Sequence, residues 1–338
     1  MNTALQRGEN LHDSYDRLAS KLRISITDRC NFRCSFCMPS HPVWLPHEEI
    51  LTFEEIVRIT RILGQMGIER VRLSGGEPLV RKDAESLVSM ISKVNGIRSI
   101  GMTTNGALLA AKAQELKRAG LDSVTISLHS LNPERFDKIT GTHGVFDKIA
   151  EGIDVARSLS FNPLKINCVI TRGDNEDEIM DFANLAYETG VTVRFIEYMP
   201  FDGSKLWDVH RLISGNEIIQ KVEEVYPLVK TDRETGSTAS VYRFEDGSHG
   251  EIATITSMTA PFCGDCDRIR ITANGKVVPC LFSNDEYDIK SIMRSGVSDE
   301  DLSDYIRNVY LKKSPGVETM MLKKLKLEHV RPMHTIGG

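Results

Sequence analysis

Three cysteines stand close together near the start of the chain: Cys30, Cys34 and Cys37. This first thiol group has the spacing C-x3-C-x2-C and directly follows a short run of alternating apolar residues, 22–27. Thiolates are the usual protein ligands of iron–sulfur clusters, and a four-iron cluster takes four ligands. Three cysteines therefore leave one iron open, as catalytic zinc sites keep one position open for substrate. An open iron of this kind can bind and reduce a small molecule.

A second thiol group has the spacing C-x2-C-x13-C and consists of Cys263, Cys266 and Cys280. These thiols could hold a second open cluster, or a structural zinc ion with His249 as fourth ligand, and spacing alone leaves the two alternatives even. For the first thiol group the spacing favours a cluster, because no second cysteine pair follows it. Arg268 and Arg270, between Cys266 and Cys280, share one face of a predicted strand and Ile269 lies on the other. By itself this triplet is more typical of a solvated strand face, but beside the cysteines it favours a cluster next to an anion or purine site.

Composition and charge narrow the class of protein. The 338 residues are 41% hydrophobic and 26% charged, which is typical of a soluble globular enzyme. The net charge of −5 argues against nucleic-acid binding. No run approaches the ~18 apolar residues of a membrane span, and the polar N-terminus lacks a secretory signal. Seven cysteines, most of them in two tight groups, do not resemble a disulfide framework, so we expect a cytoplasmic protein without membrane contact.

Short segments of β-type alternation recur between longer helical segments. The β-type segments are 21–27, 69–74, 98–104, 122–128, 164–170 and 191–197. The helical segments are 53–66, 84–94, 108–119, 146–159 and 176–188. Serial β/α units predict a parallel sheet with right-handed crossovers. Eight such units close a TIM barrel, so six predict an α/β fold with an incomplete (βα)6 TIM-like barrel, open along one side.

Each predicted strand has one apolar and one polar face. Parallel strands covered on both sides are normally apolar throughout, and closed barrel interiors are filled by Val, Ile and Leu. Helices should therefore cover the apolar face, while the other lines a wet cavity. Four cations would converge in that cavity: Arg23, Arg72, Lys165 and Arg194. The alternative is a polar face open to solvent, but ligands bind inside such barrels or at their carboxyl ends.

The chain divides into three predicted parts. Residues 1–14 are predicted to form a mobile arm and residues 15–230 the partial barrel. The polar, turn-rich stretch near 230–240 marks the boundary to a smaller C-terminal α+β domain, 231–338, which would cover the open side. The chain ends in Gly337-Gly338, a sequence that usually frays but can enter a narrow site because glycine has no Cβ.

A glycine-rich motif, Ser74-Gly75-Gly76-Glu77-Pro78, comes directly after the second predicted strand. It is either a tight β/α turn with proline opening a helix, or a backbone that closely approaches a ligand. In the second case Glu77 would accept a hydrogen bond from an amino group of that ligand.

Taken together, these motifs resemble the GTP 3′,8-cyclase family, the molybdenum cofactor biosynthesis protein A family of the radical S-adenosylmethionine (SAM) superfamily. The resemblance runs from about residue 16 to residue 338. It rests on LRISITDRCNFRCSFCMP, RVRLSGGEPL, TTNG, VTISL, FCGDCDRIRITANGKVVPCLF and the terminal IGG. It implies that the partial barrel is of the radical SAM type.

The resemblance also implies functional positions. It implies a SAM-binding [4Fe-4S] cluster on Cys30, Cys34 and Cys37, and an auxiliary [4Fe-4S] cluster on Cys263, Cys266 and Cys280. The implied SAM contacts are Phe36, Gly76, Ser127 and Met199. The implied GTP contacts are Arg23, Arg72, Thr103, Lys165, Arg268, Ile269 and Arg270. No side chain is implied as a general acid or base, and the Gly337-Gly338 tail is expected to be essential.

The implied activity is a lyase reaction that converts GTP to (8S)-3′,8-cyclo-7,8-dihydroguanosine 5′-triphosphate, the first step of molybdenum cofactor (molybdopterin) biosynthesis. A 5′-deoxyadenosyl radical, formed from SAM by one electron, would abstract the C3′ hydrogen of GTP. The implied partners are GTP, an external one-electron reductant and cyclic pyranopterin monophosphate synthase, with a homodimer as one option. Two alternatives stay open: a radical SAM peptide-modifying enzyme with an auxiliary cluster, and a non-catalytic, zinc-stapled binding protein.

Overall fold

A computed structural model describes residues 10–202, 207–317 and 331–337, which form one twelve-stranded mixed sheet with helices packed on it. The strands are β1 Lys21–Ser25, β2 Arg70–Ser74, β3 Ser99–Thr104, β4 Ser123–Ser127, β5 Leu164–Ile170, β6 Thr192–Glu197, β7 Leu228–Lys230, β8 Ser240–Phe244, β9 Glu251–Ile255, β10 Arg268–Ile271, β11 Lys276–Val278 and β12 Tyr287–Asp288. All six predicted barrel strands are present, because their period-two alternation matches the pleat of a sheet.

The strand order is β12-β11-β10-β1-β2-β3-β4-β5-β6-β9-β8-β7. Strands β1 to β6 are parallel neighbours throughout. The C-terminal strands extend both edges, since β10 pairs in parallel with β1 and β9 pairs in parallel with β6. Among the described strands, β12 and β7 end the sheet without pairing to each other. The predicted α/β fold with an incomplete barrel is therefore confirmed.

The helices are α1 Phe53–Gln65, α2 Ala84–Ile91, α3 Leu109–Ala119, α4 Pro133–Thr140, α5 Phe146–Ser158, α6 Ile179–Thr189, α7 Gly215–Glu223, α8 Ile289–Arg294, α9 Asp299–Tyr310 and α10 Met333–Ile336. Helix α1 begins at a capping box, in which Thr52 and Glu55 each bind the other's backbone N–H, at 3.2 and 2.8 Å. No described helix is long and apolar enough to cross a membrane.

The two faces of the parallel strands divide as their sequences predict. In β5 the side chains of Ile166, Cys168 and Ile170 are fully buried and belong to the main hydrophobic core. The intervening Lys165 and Asn167 are only half-buried and lie on the opposite face. Helices cover the apolar face, as expected from burial of nonpolar surface, and the polar face remains open toward a cavity.

The C-terminal third continues the same sheet rather than forming a separate layer, so the boundary at residue 230 remains a prediction. The 231–239 segment contacts the loop that carries Cys263 and Cys266, because the Gly236 N–H donates to the Asp265 carboxylate at 2.9 Å. At the other end, Leu11 is fully buried and its N–H donates to the Met66 carbonyl at 2.9 Å. Leu11 and Asp13, within the predicted mobile arm, are therefore buried, and Leu11 belongs to the main hydrophobic core.

Candidate functional site

A cavity with about 1720 Å³ of empty space, its opening to solvent included, lies at the carboxyl ends of the parallel strands. Its walls include every cysteine of both thiol groups: Cys30, Cys34, Cys37, Cys263, Cys266 and Cys280. These two groups are more than 200 residues apart in the chain, and pairing of β10 with β1 brings them to one cavity. The arrangement lets a molecule bound between them contact both.

The first thiol group lies on the loop after β1, which is fixed from two sides. The Arg33 N–H donates to the Thr140 carbonyl at 2.7 Å, which ties the loop to the end of α4. On the other side, a Cβ added to Gly76 would lie 2.4 Å from the Arg29 carbonyl oxygen. The glycine-rich motif therefore needs glycine here to approach the cysteine loop.

The thiols of the first group lie in surroundings that disfavour charge. Burial, and then the Glu77 carboxylate, raise the pKa of the Cys30 thiol to about 11. Burial, and then Cys30, raise the pKa of Cys37 to about 12, and burial followed by Cys37 and Cys30 raises the pKa of Cys34. Thiolates this close together need a bound cation or metal cluster to compensate them.

The four predicted SAM contacts all line the same cavity: Phe36, Gly76, Ser127 and Met199. The Phe36 ring meets the buried ring of His129 edge to face, with centroids 4.6 Å apart. Nearby, the buried Glu77 carboxylate accepts hydrogen bonds from the Asn105 N–H, the Thr104 hydroxyl and the Leu79 N–H, at 2.6, 2.7 and 3.0 Å. Burial nevertheless raises the pKa of Glu77 to about 7.

The second thiol group has cations around it. Lys313 donates to the Cys266 carbonyl at 2.8 Å, and Arg17 donates to the Cys263 carbonyl at 2.8 Å. Burial alone would raise the pKa of the Cys266 thiol, but Arg268 and Lys313 lower it to about 6. Burial raises the pKa of Cys263.

Cations crowd the polar face of the strands. Burial, and then Arg270, Arg72, Arg268 and Arg194, lower the pKa of Arg23. Burial lowers the pKa of Arg72 to about 10, and burial followed by Arg72 lowers that of Arg194 to about 9. Burial, then Arg194 and Arg72, lower the pKa of Lys165 to about 8. The four predicted side chains are therefore close enough to repel one another, which favours binding of a polyanion, but only Arg23 and Arg194 of the four line the cavity.

Two arginines beside the second thiol group have unused donors. Arg268 and Arg270 are buried and line the cavity, and among the described residues no group accepts from Arg268 Nε and Nη2 or Arg270 Nε. Buried guanidinium donors without acceptors are costly, so an anion or purine in the cavity would satisfy them. The side chain of Ile269, by contrast, is fully buried in the core on the other face, so only its backbone could contact a ligand.

The other predicted GTP contacts divide into two sets. Arg23 and Thr103 line the cavity. Arg72 and Lys165 lie behind the lining, although both interact electrostatically with Arg194, which does line it. Arg72 donates to the Met102 carbonyl at 3.3 Å, so its guanidinium is partly engaged by the sheet itself.

The chain terminus reaches the same region. The Met333 N–H lies 3.0 Å from both the Cys37 and the Phe201 carbonyl oxygens, which fastens α10 to the first thiol loop. Gly337 has φ +76°, and a Cβ added there would lie 2.4 Å from the Ser74 hydroxyl oxygen. The predicted approach of the tail to the site thus holds for Gly337, while Gly338 lies outside the described residues.

The thiol groups fit iron–sulfur clusters better than single zinc ions. Within the described ranges, no three His, Cys, Asp or Glu side chains are placed to hold one metal ion. His249, the proposed fourth zinc ligand, is exposed, and its Cβ lies 3.7 Å from the Cβ position of Gly190, away from the cavity lining. A four-iron cluster is held by cysteine thiolates. Each group places three cysteines on the cavity wall, which is a ligand set of that kind.

Sequence reasoning assigned no role to two polar residues of the cavity wall. His129 accepts from the Val169 N–H through Nδ1 at 3.1 Å, and burial lowers its pKa to about 4. The Glu197 carboxylate is buried and accepts from the Gly215, Met258 and Thr259 N–H groups, at 3.1, 2.8 and 2.9 Å. Both residues end or follow a predicted parallel strand, a position that could have identified them.

Comparison with known proteins yields two family models. The model described as Radical SAM superfamily matches residues 24–186, and that described as Molybdenum Cofactor Synthesis C matches residues 191–319. The first runs from the end of β1 through β5 and contains the first thiol group. The second contains the strands β6 to β12 and the second thiol group.

Three curated relatives share the sequence over most of this chain. The GTP 3′,8-cyclase of Thermodesulfovibrio yellowstonii is 41% identical over 332 residues, which is 97% of this chain and 100% of that protein. The mitochondrial GTP 3′,8-cyclase of Arabidopsis thaliana is 41% identical over 97% of this chain and 83% of that protein. Human molybdenum cofactor biosynthesis protein 1 is 45% identical over 86% of this chain, which spans about half (46%) of that protein.

Proposed function

The chain belongs to the GTP 3′,8-cyclase family of the radical SAM superfamily, and from that premise we propose that it converts GTP to (8S)-3′,8-cyclo-7,8-dihydroguanosine 5′-triphosphate. One observation carries this proposal: two groups of three thiols and a set of mutually repelling arginines line a single cavity. This combination fits a reaction in which two iron–sulfur clusters, each with one open iron, and a polyanionic substrate share one cavity.

The first thiol group would hold the cluster that binds SAM. Bound there, cluster and SAM together supply an electron and a radical able to abstract a hydrogen atom from an unactivated carbon. The residues of this chain shape the site around that chemistry. Gly76 brings the glycine-rich motif against the cysteine loop, and the Glu77 carboxylate, already held by three donors, can accept from an amino group.

The cations would hold the GTP triphosphate. At about −4, this triphosphate matches a wall with Arg23, Arg194, Arg268 and Arg270 on its surface and Arg72 and Lys165 behind it. Arg268 and Arg270 have free donors next to the second thiol group, so one end of the nucleotide would lie there. The ribose, which lies between the base and the triphosphate, would present its C3′ atom toward the first thiol group. Holding the nucleotide between both groups supplies the orientation that ring closure from C3′ to C8 requires.

The chain would also protect the radical. A hydrogen-abstracting species reacts with any accessible hydrogen donor, so exclusion of water and loose side chains is a protein task. Apolar residues near the cavity, including Phe201, Met258, Val278 and Phe282, form a small buried cluster against the second thiol group. Helix α10 adds Ile336 to this cluster.

The tail is proposed to order groups in the cavity, as the approach of Gly337 to Ser74 supports. Deleting Gly337 and Gly338 should abolish cyclisation while leaving both clusters in place. Full activity of the truncated chain would refute this role. Four further proposals rest on the sequence. They are an external one-electron reductant, transfer of the product to cyclic pyranopterin monophosphate synthase, a homodimer and a cytoplasmic location.

The decisive experiment is anaerobic incubation of the reconstituted protein with SAM, a strong reductant and one nucleoside triphosphate at a time. We expect 5′-deoxyadenosine and a 3′,8-cyclised product in equal amounts with GTP, and no cyclised product with ATP, CTP or UTP. Release of 5′-deoxyadenosine that no nucleotide stimulates would contradict the proposal and favour a peptide-modifying enzyme. A colourless protein containing zinc but no iron or sulfide would favour the binding protein.

A further inference from the structure

The loop that carries Cys263 and Cys266 is held by two buried cations from opposite ends of the chain. Arg17 donates from Nη1 to the Cys263 and Pro315 carbonyls, both at 2.8 Å, and from Nη2 to the Ser314 carbonyl at 2.7 Å. Lys313 donates from Nζ to the Cys266 carbonyl at 2.8 Å and the Arg268 carbonyl at 3.0 Å. Each thiol of this pair therefore has its own backbone anchor.

The two anchors differ in charge compensation. The Arg17 Nε donates to the Asp13 carboxylate at 2.6 Å, and both side chains are buried, so this pair has no net charge. Lys313 is 3% exposed and donates its third hydrogen bond to the Tyr310 hydroxyl, at 2.9 Å. In the described part of the chain no carboxylate is bonded to Lys313, and the nearby Asp13 is already bound to Arg17.

A buried positive charge beside a thiolate changes the energy of any redox group that the thiolate binds. Reduction adds one negative charge to a cluster, and a fixed cation at short range in a low-dielectric site stabilises that charge. The neutral Arg17–Asp13 pair has much less effect, because its two charges oppose each other. Lys313 thus differs from Arg17 in a way that a potential measurement can detect.

We propose that Lys313 is a positioning residue of the second thiol group, which anchors Cys266 through its carbonyl and raises the reduction potential of the bound cluster by its uncompensated charge. The inference rests on the second cluster proposed above. It assigns to Lys313 a role that is separate from substrate binding, since Lys313 lies outside the residues that line the cavity.

The test uses the full-length, anaerobically reconstituted protein and two variants of Lys313. Lys313→Gln keeps a hydrogen-bond donor but removes the charge, whereas Lys313→Arg keeps both. The midpoint potential of each cluster is measured by redox titration followed by electron paramagnetic resonance, and SAM addition identifies the first cluster by changing its signal. We expect Lys313→Gln to move the one-electron equilibrium of the second cluster at least tenfold toward the oxidised form, equivalent to 59 mV. The first cluster and Lys313→Arg should shift by much less.

The matched control is the double variant Asp13→Asn with Arg17→Gln, which disturbs the neighbouring anchor without changing the net charge. It should lower the iron and sulfide content of the second site more than it moves the potential. An equal shift in this double variant and in Lys313→Gln would show that loop geometry controls the potential, and would overturn the inference.

The remaining outcomes are also decisive. An unchanged potential in Lys313→Gln overturns the role of Lys313 but leaves the second cluster standing. Wild-type protein whose iron, sulfide and signals account only for the first cluster overturns the second cluster and this inference with it. Lys313→Gln could fail to retain the second cluster. In that case, retention of the cluster by Lys313→Arg supports the proposed role of the positive charge, and loss of the cluster in both variants contradicts that role.

Discussion

The first and second thiol groups contain the same number of cysteines but differ in the charged side chains next to them. Next to the first group is the buried Glu77 carboxylate, and the pKa of its thiols is raised, to about 11 for Cys30 and about 12 for Cys37. Next to the second group are Arg268 and Lys313, which bring the pKa of Cys266 down to about 6. The pKa values of the first group are raised mainly by burial, whereas the cations beside Cys266 outweigh its burial, so Cys266 is the thiol that distinguishes the second site.

The difference assigns each site a different task. A cluster among groups that disfavour negative charge gives up an electron readily, which suits the cleavage of a stable bond. A site rich in cations instead attracts an anionic ligand and holds it in place. We therefore expect the first site to start the reaction and the second to hold the nucleotide that undergoes it.

The largest effect that the comparison predicts comes from removing one set of thiols at a time. Replacement of Cys30, Cys34 and Cys37 by alanine should abolish 5′-deoxyadenosine release entirely, because no open iron then contacts SAM. Replacement of Cys263, Cys266 and Cys280 should abolish cyclisation but leave SAM cleavage measurable. Chromatographic quantification of 5′-deoxyadenosine and of the cyclised nucleotide checks both. Loss of SAM cleavage in both triple variants would show that SAM cleavage and nucleotide binding are not assigned to separate sites.

The next effect concerns the cations of the second site. Arg270→Ala should weaken GTP binding about 10- to 100-fold, since a charge-assisted hydrogen bond contributes about 1.5–3 kcal/mol. Equilibrium dialysis with GTP measures the loss, and SAM binding should stay unchanged. Arg98→Ala is the matched control, because Arg98 is exposed, lies outside the cavity lining and forms an ion pair with Glu69. A parallel loss of SAM affinity in Arg270→Ala would mean that the two ligands do not occupy separate ends of the cavity.

A smaller effect should appear in protein from which the clusters have been removed. With a pKa of about 6, Cys266 is mostly thiolate at pH 7.5, whereas Cys30, with a pKa of about 11, is mostly neutral. Because nucleophilicity falls with pKa, we expect alkylation of Cys266 by iodoacetamide to be faster by only about tenfold. Its rate should rise through pH 6 and level off above pH 7, while that of Cys30 keeps rising. Peptide mass spectrometry over time measures the alkylation of each cysteine separately. Equal rates for Cys266 and Cys30 would contradict the predicted difference between their pKa values.

The smallest effect concerns the tail, which contacts the first site. Gly337→Ala places a methyl group 2.4 Å from the Ser74 hydroxyl oxygen and should lower cyclisation several-fold. Gly144→Ala is the control, because Gly144 has a similar φ of +66° but, among the described residues beyond its chain neighbours, no atom lies within 4 Å of the added carbon. Both variants carry a backbone penalty of about 1 kcal/mol, visible in thermal unfolding. Equal cyclisation activity of the two variants would show that the contact of Gly337 with Ser74 does not matter for activity and that backbone strain alone explains any loss.

Local sequence patterns predicted most of the fold. The six parallel strands follow from alternation that each segment carries by itself. Helix α4, Pro133–Thr140, was missed, although Asn132 caps its first turn and Gly141 ends it in a left-handed conformation. A helix of this length has too few apolar residues for its period to stand out beside these end signals.

The candidate site was predictable where its residues lie in motifs. The cysteines of the two thiol groups, Phe36 and Gly76 all line the cavity as expected. The alternation of Arg268, Ile269 and Arg270 already placed Ile269 on the apolar face, and its side chain is indeed in the core. The anchors Arg17 and Lys313 could not be found, because each contact joins residues far apart in the chain and has no local pattern.

The position of β1 has a consequence for biosynthesis. This strand pairs with β2 on one side and with β10 on the other, so that Lys21 lies opposite both Arg70 and Arg268. While the ribosome is still translating, the nascent chain therefore carries an unpaired strand edge at β1 until β10 emerges. The reaction chamber is completed only after Arg268–Ile271 has been synthesised, when β10 pairs beside β1.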